Sequence, residues 1–144
     1  MTTVDSDYVT IEEAEERLVQ VRPLLESARR IKREVESIAA GYNYDSVLIE
    51  QEKEHLAPLM RKLSEILDEL EDLGCYVKDL DIGLVDFLST FEGRDIFLCW
   101  KLGEQHISHW HETDEGFSSR QEILDMSQLL LDVEFETPIV ENEN

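Results

Sequence analysis

Apolar residues recur along the first part of the chain at steps of three and four. Ile11, Ala14, Leu18, Val21, Leu25, Ala28, Ile31, Val35 and Ile38 form one stripe of a helix with 3.6 residues per turn. Thr10-Ile11-Glu12-Glu13 opens that stripe in capping-box form, in which hydroxyl and carboxylate satisfy each other's orphan amides, so a helix is predicted over residues 10–40. Pro23 lies inside the stripe and predicts a kink or break near Gln20 to Arg22. Gly41-Tyr42-Asn43-Tyr44-Asp45 ends the pattern. A second stripe, Leu56, Leu59, Leu63, Ile66, Leu70 and Leu73, predicts a helix over residues 46–73 stopped by Gly74, with Pro58 as a second kink point. Turning back near residue 43, the chain would make an antiparallel hairpin with Arg29, Arg30, Lys32 and Arg33 opposite Glu50, Glu52 and Glu54.

From Cys75 the period changes to two. Strands are predicted over 75–78, 84–91, 95–102 and 105–112. Glu92-Gly93 suits the first hairpin, and Gly103-Glu104, with glycine first, fits a type II′ two-residue loop. That loop sets Lys101 opposite His106, Cys99 opposite Ser108 and Phe97 opposite Trp110. One face then carries Ile96, Leu98, Trp100, Leu102, Ile107, His109 and His111 with Val85 and Phe87, and is expected to be the core face. The other places Asp86 beside Cys99, near Lys101 and His106. Ser119-Arg120-Gln121-Glu122 repeats the capping-box form, so a short helix is expected over 119–133, followed by a disordered acidic tail over 137–144.

The expected fold is α+β, one domain over residues 1–136. It comprises a long antiparallel helical hairpin, a three- to four-stranded antiparallel β-meander and a short C-terminal helix. A length of 144 residues suits one core. Each long helix would span about 40 Å at 1.5 Å per residue, more than a small sheet can cover, so a homo-oligomer, most simply a dimer, is expected.

A net charge of −21 argues against nucleic acid and anionic membrane as partners, since both demand a basic footprint. Residues 10–40 hold seven acids against six bases, whereas 121–144 hold seven against none, so only the first helix is balanced. The sequence shows no run of about 18 apolar residues and no basic start followed by an apolar stretch, so neither a membrane span nor a signal peptide is expected. Cys75 and Cys99 lack CxxC spacing and fit reduced thiols. Together these point to a cytoplasmic protein.

Cys99, His106, His109 and His111 have the right atoms for zinc. The predicted register separates them, with Cys99 and His106 on one face and His109 and His111 on the other, so no tetrahedral site would collect all four. No cofactor is therefore expected; zinc held by His109 and His111 with a helix carboxylate is the alternative. Asp79-x-Asp81-x-Gly83 has its glycine one position early for a calcium loop and no glutamate at the twelfth place. Asp86, Lys101 and His106 have the chemistry to share protons near Cys99, but an ordinary Asp/Lys contact is the simpler reading.

Gly83-Leu84-Val85-Asp86-Phe87, Leu98-Cys99-Trp100-Lys101-Leu102-Gly103-Glu104, Trp110-His111-Glu112 and Gly116-Phe117-Ser118-Ser119-Arg120 resemble the bacterial domain of unknown function 2203. Thr10-Ile11-Glu12-Glu13-Ala14 resembles the opening helix of that family, so the resemblance covers roughly residues 9–122. The proline in the first helix stands later than the family pattern implies, and an acidic extension follows Arg120. The resemblance implies a fold unit and a signature, and no reaction. Trp110, His111, Glu112 and Arg120 match its motif; with Asp86, Lys101 and Glu104 they form the candidate ligand or partner site. The leading expectation is a self-associating assembly module without catalysis. The alternative is a small ligand-binding or metal-assisted enzyme centred on His111, Glu112 and Arg120.

Overall fold

The computed structural model of the chain describes residues 8–41 and 46–123. Helix α1 spans Ile11–Ala40, and its capping box forms as the sequence predicts. Thr10 Oγ1 accepts from the Glu13 amide at 3.0 Å, and Glu13 Oε1 accepts from the Thr10 amide at 2.9 Å. Ile11, Ala14, Leu18, Val21, Leu25 and Ala28 are the buried stripe. The predicted break at Pro23 does not occur. Proline in a helix interior costs about 3 kcal/mol, but Pro23 lies on the exposed face while Val21 and Leu25 on either side are fully buried. Burying two such side chains contributes about 3–6 kcal/mol, enough to carry the helix through.

Helix α2, Ser46–Asp72, likewise runs through Pro58. It buries Ile66 and Leu70, with Leu63, Leu67 and Leu73 packed at the margin of the core. Arg17 of α1 donates to the Leu73 carbonyl at 2.9 Å, tying the start of α1 to the end of α2, while residues 41–45 join their other ends. The two helices therefore run antiparallel. Two of the basic residues of α1 do not serve the predicted helix–helix pairing. Arg29 donates to the Asp81 carbonyl, and Lys32 binds the Asp81 carboxylate at 2.6 Å, so they fasten the turn between the first two strands.

The sheet has five antiparallel strands in sequential order, one or two more than the sequence predicts. They are β1 (Cys75–Asp79), β2 (Leu84–Phe91), β3 (Arg94–Lys101), β4 (His109–Glu112) and β5 (Gln121–Glu122). Between β2 and β3 the register is the predicted one, with Asp86 opposite Cys99 and Phe87 opposite Leu98. Glu92 and Gly93 both take positive φ, 54° and 78°, as a tight hairpin turn requires. Val85, Phe87, Ile96, Leu98 and Trp100 project from one face into the same buried cluster as the helix stripes.

The β3–β4 connection departs from the prediction. The turn is Lys101–Glu104, closed by Glu104 N donating to Lys101 O at 3.0 Å, so Gly103 is its second central residue, with φ 109°. Glu92 is the one described non-glycine residue with positive φ, so Leu102 cannot be the first residue of a II′ turn. The chain then leaves the sheet until His109. Cys99 lies opposite His109, Leu98 opposite Trp110 and Phe97 opposite His111, one residue out from the predicted pairing. A slip of one residue exchanges the two faces of a strand, so His109 and His111 leave the expected core face and join Asp86 and Cys99.

At the C-terminal side the capping box at Ser119 does not form. Phe117–Ser119 is one turn of 3-10 helix, and Gln121–Glu122 pairs with β4, Trp110 opposite Gln121 and His109 opposite Glu122. The remainder of the helix expected up to residue 133, and the acidic tail, lie outside the described residues.

Candidate functional site

Asp86 on β2, Cys99 on β3 and His111 on β4 meet on the sheet face opposite the one that packs on the helices. All three are buried, at 1%, 0% and 2% relative exposure, on a face that an antiparallel sheet often leaves to solvent. Their ligating atoms lie within 4.8 Å of one another. His111 Nε2 is 3.1 Å from each oxygen of Asp86. His111 Nδ1 lies 2.8 Å from the Glu112 carbonyl, which only accepts, so Nδ1 carries a proton and Nε2 is the nitrogen presented to the cluster. Phe97, across from His111, packs on its ring at 5.6 Å between centroids, and Tyr76 packs on Phe97 in turn.

Burial pushes the Cys99 thiol up to about 12, with the Asp86 charge adding to the shift and the Arg120 charge opposing it. Cys99 is therefore a neutral thiol at physiological pH, which removes it as a nucleophile acting alone. Cys75 is likewise pushed to about 12, by burial and then by Asp86.

The remaining candidate residues divide into two separate constellations. Glu104 accepts from both terminal nitrogens of Arg120 at 3.0 Å, and its carboxylate also takes the Lys101 amide at 3.0 Å. Arg120 Nη2 adds a bond to the Cys99 carbonyl at 3.2 Å, and its guanidinium stacks 4.9 Å from the Phe117 ring, beside Lys101 Nζ. These residues clamp the 102–108 excursion onto the sheet. Its other side is held by α1: Arg22 donates to the Gln105 carbonyl at 2.7 Å, and Glu15 accepts the Ile107 amide at 2.7 Å. His106, exposed, contacts the same Glu15 and takes no part in the cluster.

Glu112 and Trp110 belong elsewhere. Glu112 binds Arg94 at 2.7 Å, an exposed pair that lowers the Glu112 carboxyl, and Trp110 packs on Phe91 beneath the same arginine. As immediate strand neighbours of His111, both point to the other face. The trio His111, Glu112 and Arg120 is thus not assembled: Glu112 turns away, and Arg120 reaches the centre only through the Cys99 carbonyl.

Of the expected metal ligands, His111 is in the cluster, and His109 stands beside it on the same face, its Nδ1 3.1 Å from Ser108 Oγ and 3.9 Å from Glu104. Sequence reasoning missed Cys99 as a partner of His111 because the assumed register put them on opposite faces. The available signal was the position of Gly103, which suits the second central residue of a turn over 101–104 as well as the first of one over 102–105.

A family model described as an uncharacterized conserved protein matches residues 7–123. The chain belongs to the DUF2203 family. The match ends at Ile123, the residue whose amide bonds the Ser108 carbonyl next to the β4–β5 pairing, so it takes in both helices and the whole described sheet. No curated protein and no solved structure matches the chain. Among the described residues of this DUF2203 protein, no helix is long and apolar enough to cross a membrane.

Proposed function

We propose that this protein is a non-enzymatic metal-binding module in which a zinc-class divalent cation is held by Asp86, Cys99 and His111. The observation that carries this reading is the convergence of a carboxylate, a thiol and an imidazole from three adjacent strands within 4.8 Å, all buried. Sulfur and nitrogen donors with one carboxylate suit a borderline cation and not calcium or magnesium, which take oxygen sets. The bond from His111 Nδ1 to the Glu112 carbonyl is the outer-shell contact that fixes a metal-binding imidazole with Nε2 inward.

Burial favours a structural role. A groove of about 690 Å³ runs along Arg22, Glu26, Arg29 and residues 102–106, and none of the three donors lines it. Metal bound at the cluster would cross-link β2, β3 and β4, so its binding energy would add to folding energy.

The test is metal analysis and titration. Protein purified without chelator is expected to hold close to one equivalent of zinc, and added Co(II) to give thiolate-to-metal charge-transfer absorption. Cys99→Ser should abolish that absorption with the circular dichroism unchanged. Protein that neither retains metal nor raises its melting temperature with Zn(II), Co(II) or Ni(II) sinks the reading.

Self-association is a second reading, favoured by how far the helices outrun the sheet. Full burial in α1 ends at Ala28, leaving Ile31, Val35 and Ile38 half-buried, and on α2 Met60 is half-exposed. A monomeric mass by light scattering at working concentration would dismiss it.

A further inference from the structure

We propose that His109 is the fourth ligand, so that the site is a closed, four-coordinate centre of one sulfur, two imidazole nitrogens and one carboxylate oxygen. This rests on the metal-binding reading above and specifies its geometry.

Three observations carry it. His109 is directly opposite Cys99 in the β3–β4 pairing, so the two side chains share a face with Cβ atoms about 4.5–5.5 Å apart. An imidazole is long enough to bring Nε2 to a cation held on that sulfur. His111 is two residues further along the same strand, hence on the same face; the ring nitrogens of His109 stand outside the 4.8 Å group of Asp86, Cys99 and His111, so the ring has to turn to join it.

One ring nitrogen of His109 is uncommitted. Nδ1 is 3.1 Å from Ser108 Oγ and 3.9 Å from Glu104, a carboxylate itself fixed by Arg120, while Nε2 has no bonding partner among the described residues. His111 shows the same division, with Nδ1 on a backbone carbonyl and Nε2 toward the cluster.

Three buried donors leave one corner of a tetrahedron, which a water fills in an open site and a fourth side chain fills in a closed structural one. The His109 side chain is 22% exposed, against 3% and 1% for His111 and Asp86, so it stands at the solvent-facing side of the three. Turning its ring inward costs the contact with Ser108, about 1 kcal/mol for a half-exposed hydrogen bond, which one metal–nitrogen bond exceeds. The resulting set favours zinc or cobalt over cations that demand octahedral oxygen coordination.

X-ray absorption of the zinc-loaded wild-type protein is expected to count two imidazoles and one sulfur. Co(II)-loaded wild type should show both the thiolate charge-transfer band and the intense visible bands of tetrahedral cobalt. His109→Ala is expected to keep the charge-transfer band, lose most of the visible intensity and bind Co(II) at least tenfold more weakly, with added imidazole restoring the intensity. A single imidazole by X-ray absorption, or a His109→Ala spectrum and affinity equal to wild type, overturns the proposal while leaving the three-donor site standing. Absence of the charge-transfer band from wild type overturns both.

Discussion

His111 reaches across β3 to place Nε2 3.1 Å from both oxygens of Asp86, joining β2 to β4 through a pair that is almost wholly buried. Removing one member strands the other without water. Asp86→Ala is therefore expected to destabilise the metal-free domain by about 1–3 kcal/mol in urea unfolding, the usual cost of leaving a buried polar partner alone. A double replacement with apolar residues of similar volume, Asp86→Leu with His111→Phe, should recover most of that loss. A double variant no better than the single one would mean that the pair is not the unit of stability.

Which parts of this site the sequence could reveal follows from what fixed each register. Asp86 opposite Cys99 was legible, because Glu92-Gly93 allows one tight turn and the β2–β3 pairing counts outward from it. The stripe of α1 and its cap were legible for a similar reason: both are local patterns that core packing reinforces. His111 opposite Phe97 was not legible. The 102–108 excursion is held by Arg22 and Glu15, about 80–90 residues earlier in sequence, and by Arg120 beyond β4. No local pattern encodes such long-range bonds, and the error of one residue they introduce changes the face of every β4 side chain. The strand at Gln121–Glu122 was hidden likewise. Ser119 to Glu122 has the residues of a capping box, but the Arg120–Glu104 bond and the Ile123 amide on the Ser108 carbonyl draw the segment into the sheet.

Both thiols are expected to be silent toward a disulfide reagent. Cys75 and Cys99 are buried, and each is pushed to about 12, so at pH 8 the thiolate fraction is minute and the sulfur is inaccessible. Titration with dithiobis-nitrobenzoate should find no fast-reacting thiol in native metal-free protein and two after denaturation in guanidinium. One fast native thiol would show that the sheet face opens more readily than its burial implies.

Two glycines should respond differently to alanine. At Gly83, φ is 69° and an added Cβ would stand 2.6 Å from Leu102 Cβ, where the Leu102 amide already bonds the Gly83 carbonyl. Gly83→Ala thus meets both backbone strain and a collision with a neighbouring Cβ that cannot rotate away, and should cost more than about 2 kcal/mol. At Gly103, φ is 109° and nothing lies within 4 Å of the added carbon. Gly103→Ala should pay the backbone term alone, about 1–2 kcal/mol. Equal losses in thermal unfolding would refute the distinction.

The Glu104–Arg120 clamp should impose a pH dependence of definite sign. Burial acts to raise the Glu104 carboxyl, but the Arg120 bonds, the Lys101 amide and the charges of Arg120 and His109 outweigh it and hold the group below its ordinary value of 4.5. In the window between the folded and unfolded values the unfolded chain binds more protons, so stability rises with pH there. The contribution is complete above about 4.5 and is lost as pH falls through the lower, folded value. Asp81 and Glu112 are also lowered, by Lys32 and Arg94, and act in the same window, so wild type alone does not isolate the clamp. The decisive quantity is the difference from Glu104→Gln, measured by urea unfolding between pH 3 and pH 7. Glu104→Gln is expected to be less stable by about 1–2 kcal/mol near neutrality, the worth of a half-buried charged hydrogen bond, and the gap should close on acidification. A gap that stays constant with pH would assign the loss to packing of the 102–108 excursion and not to the charge of Glu104.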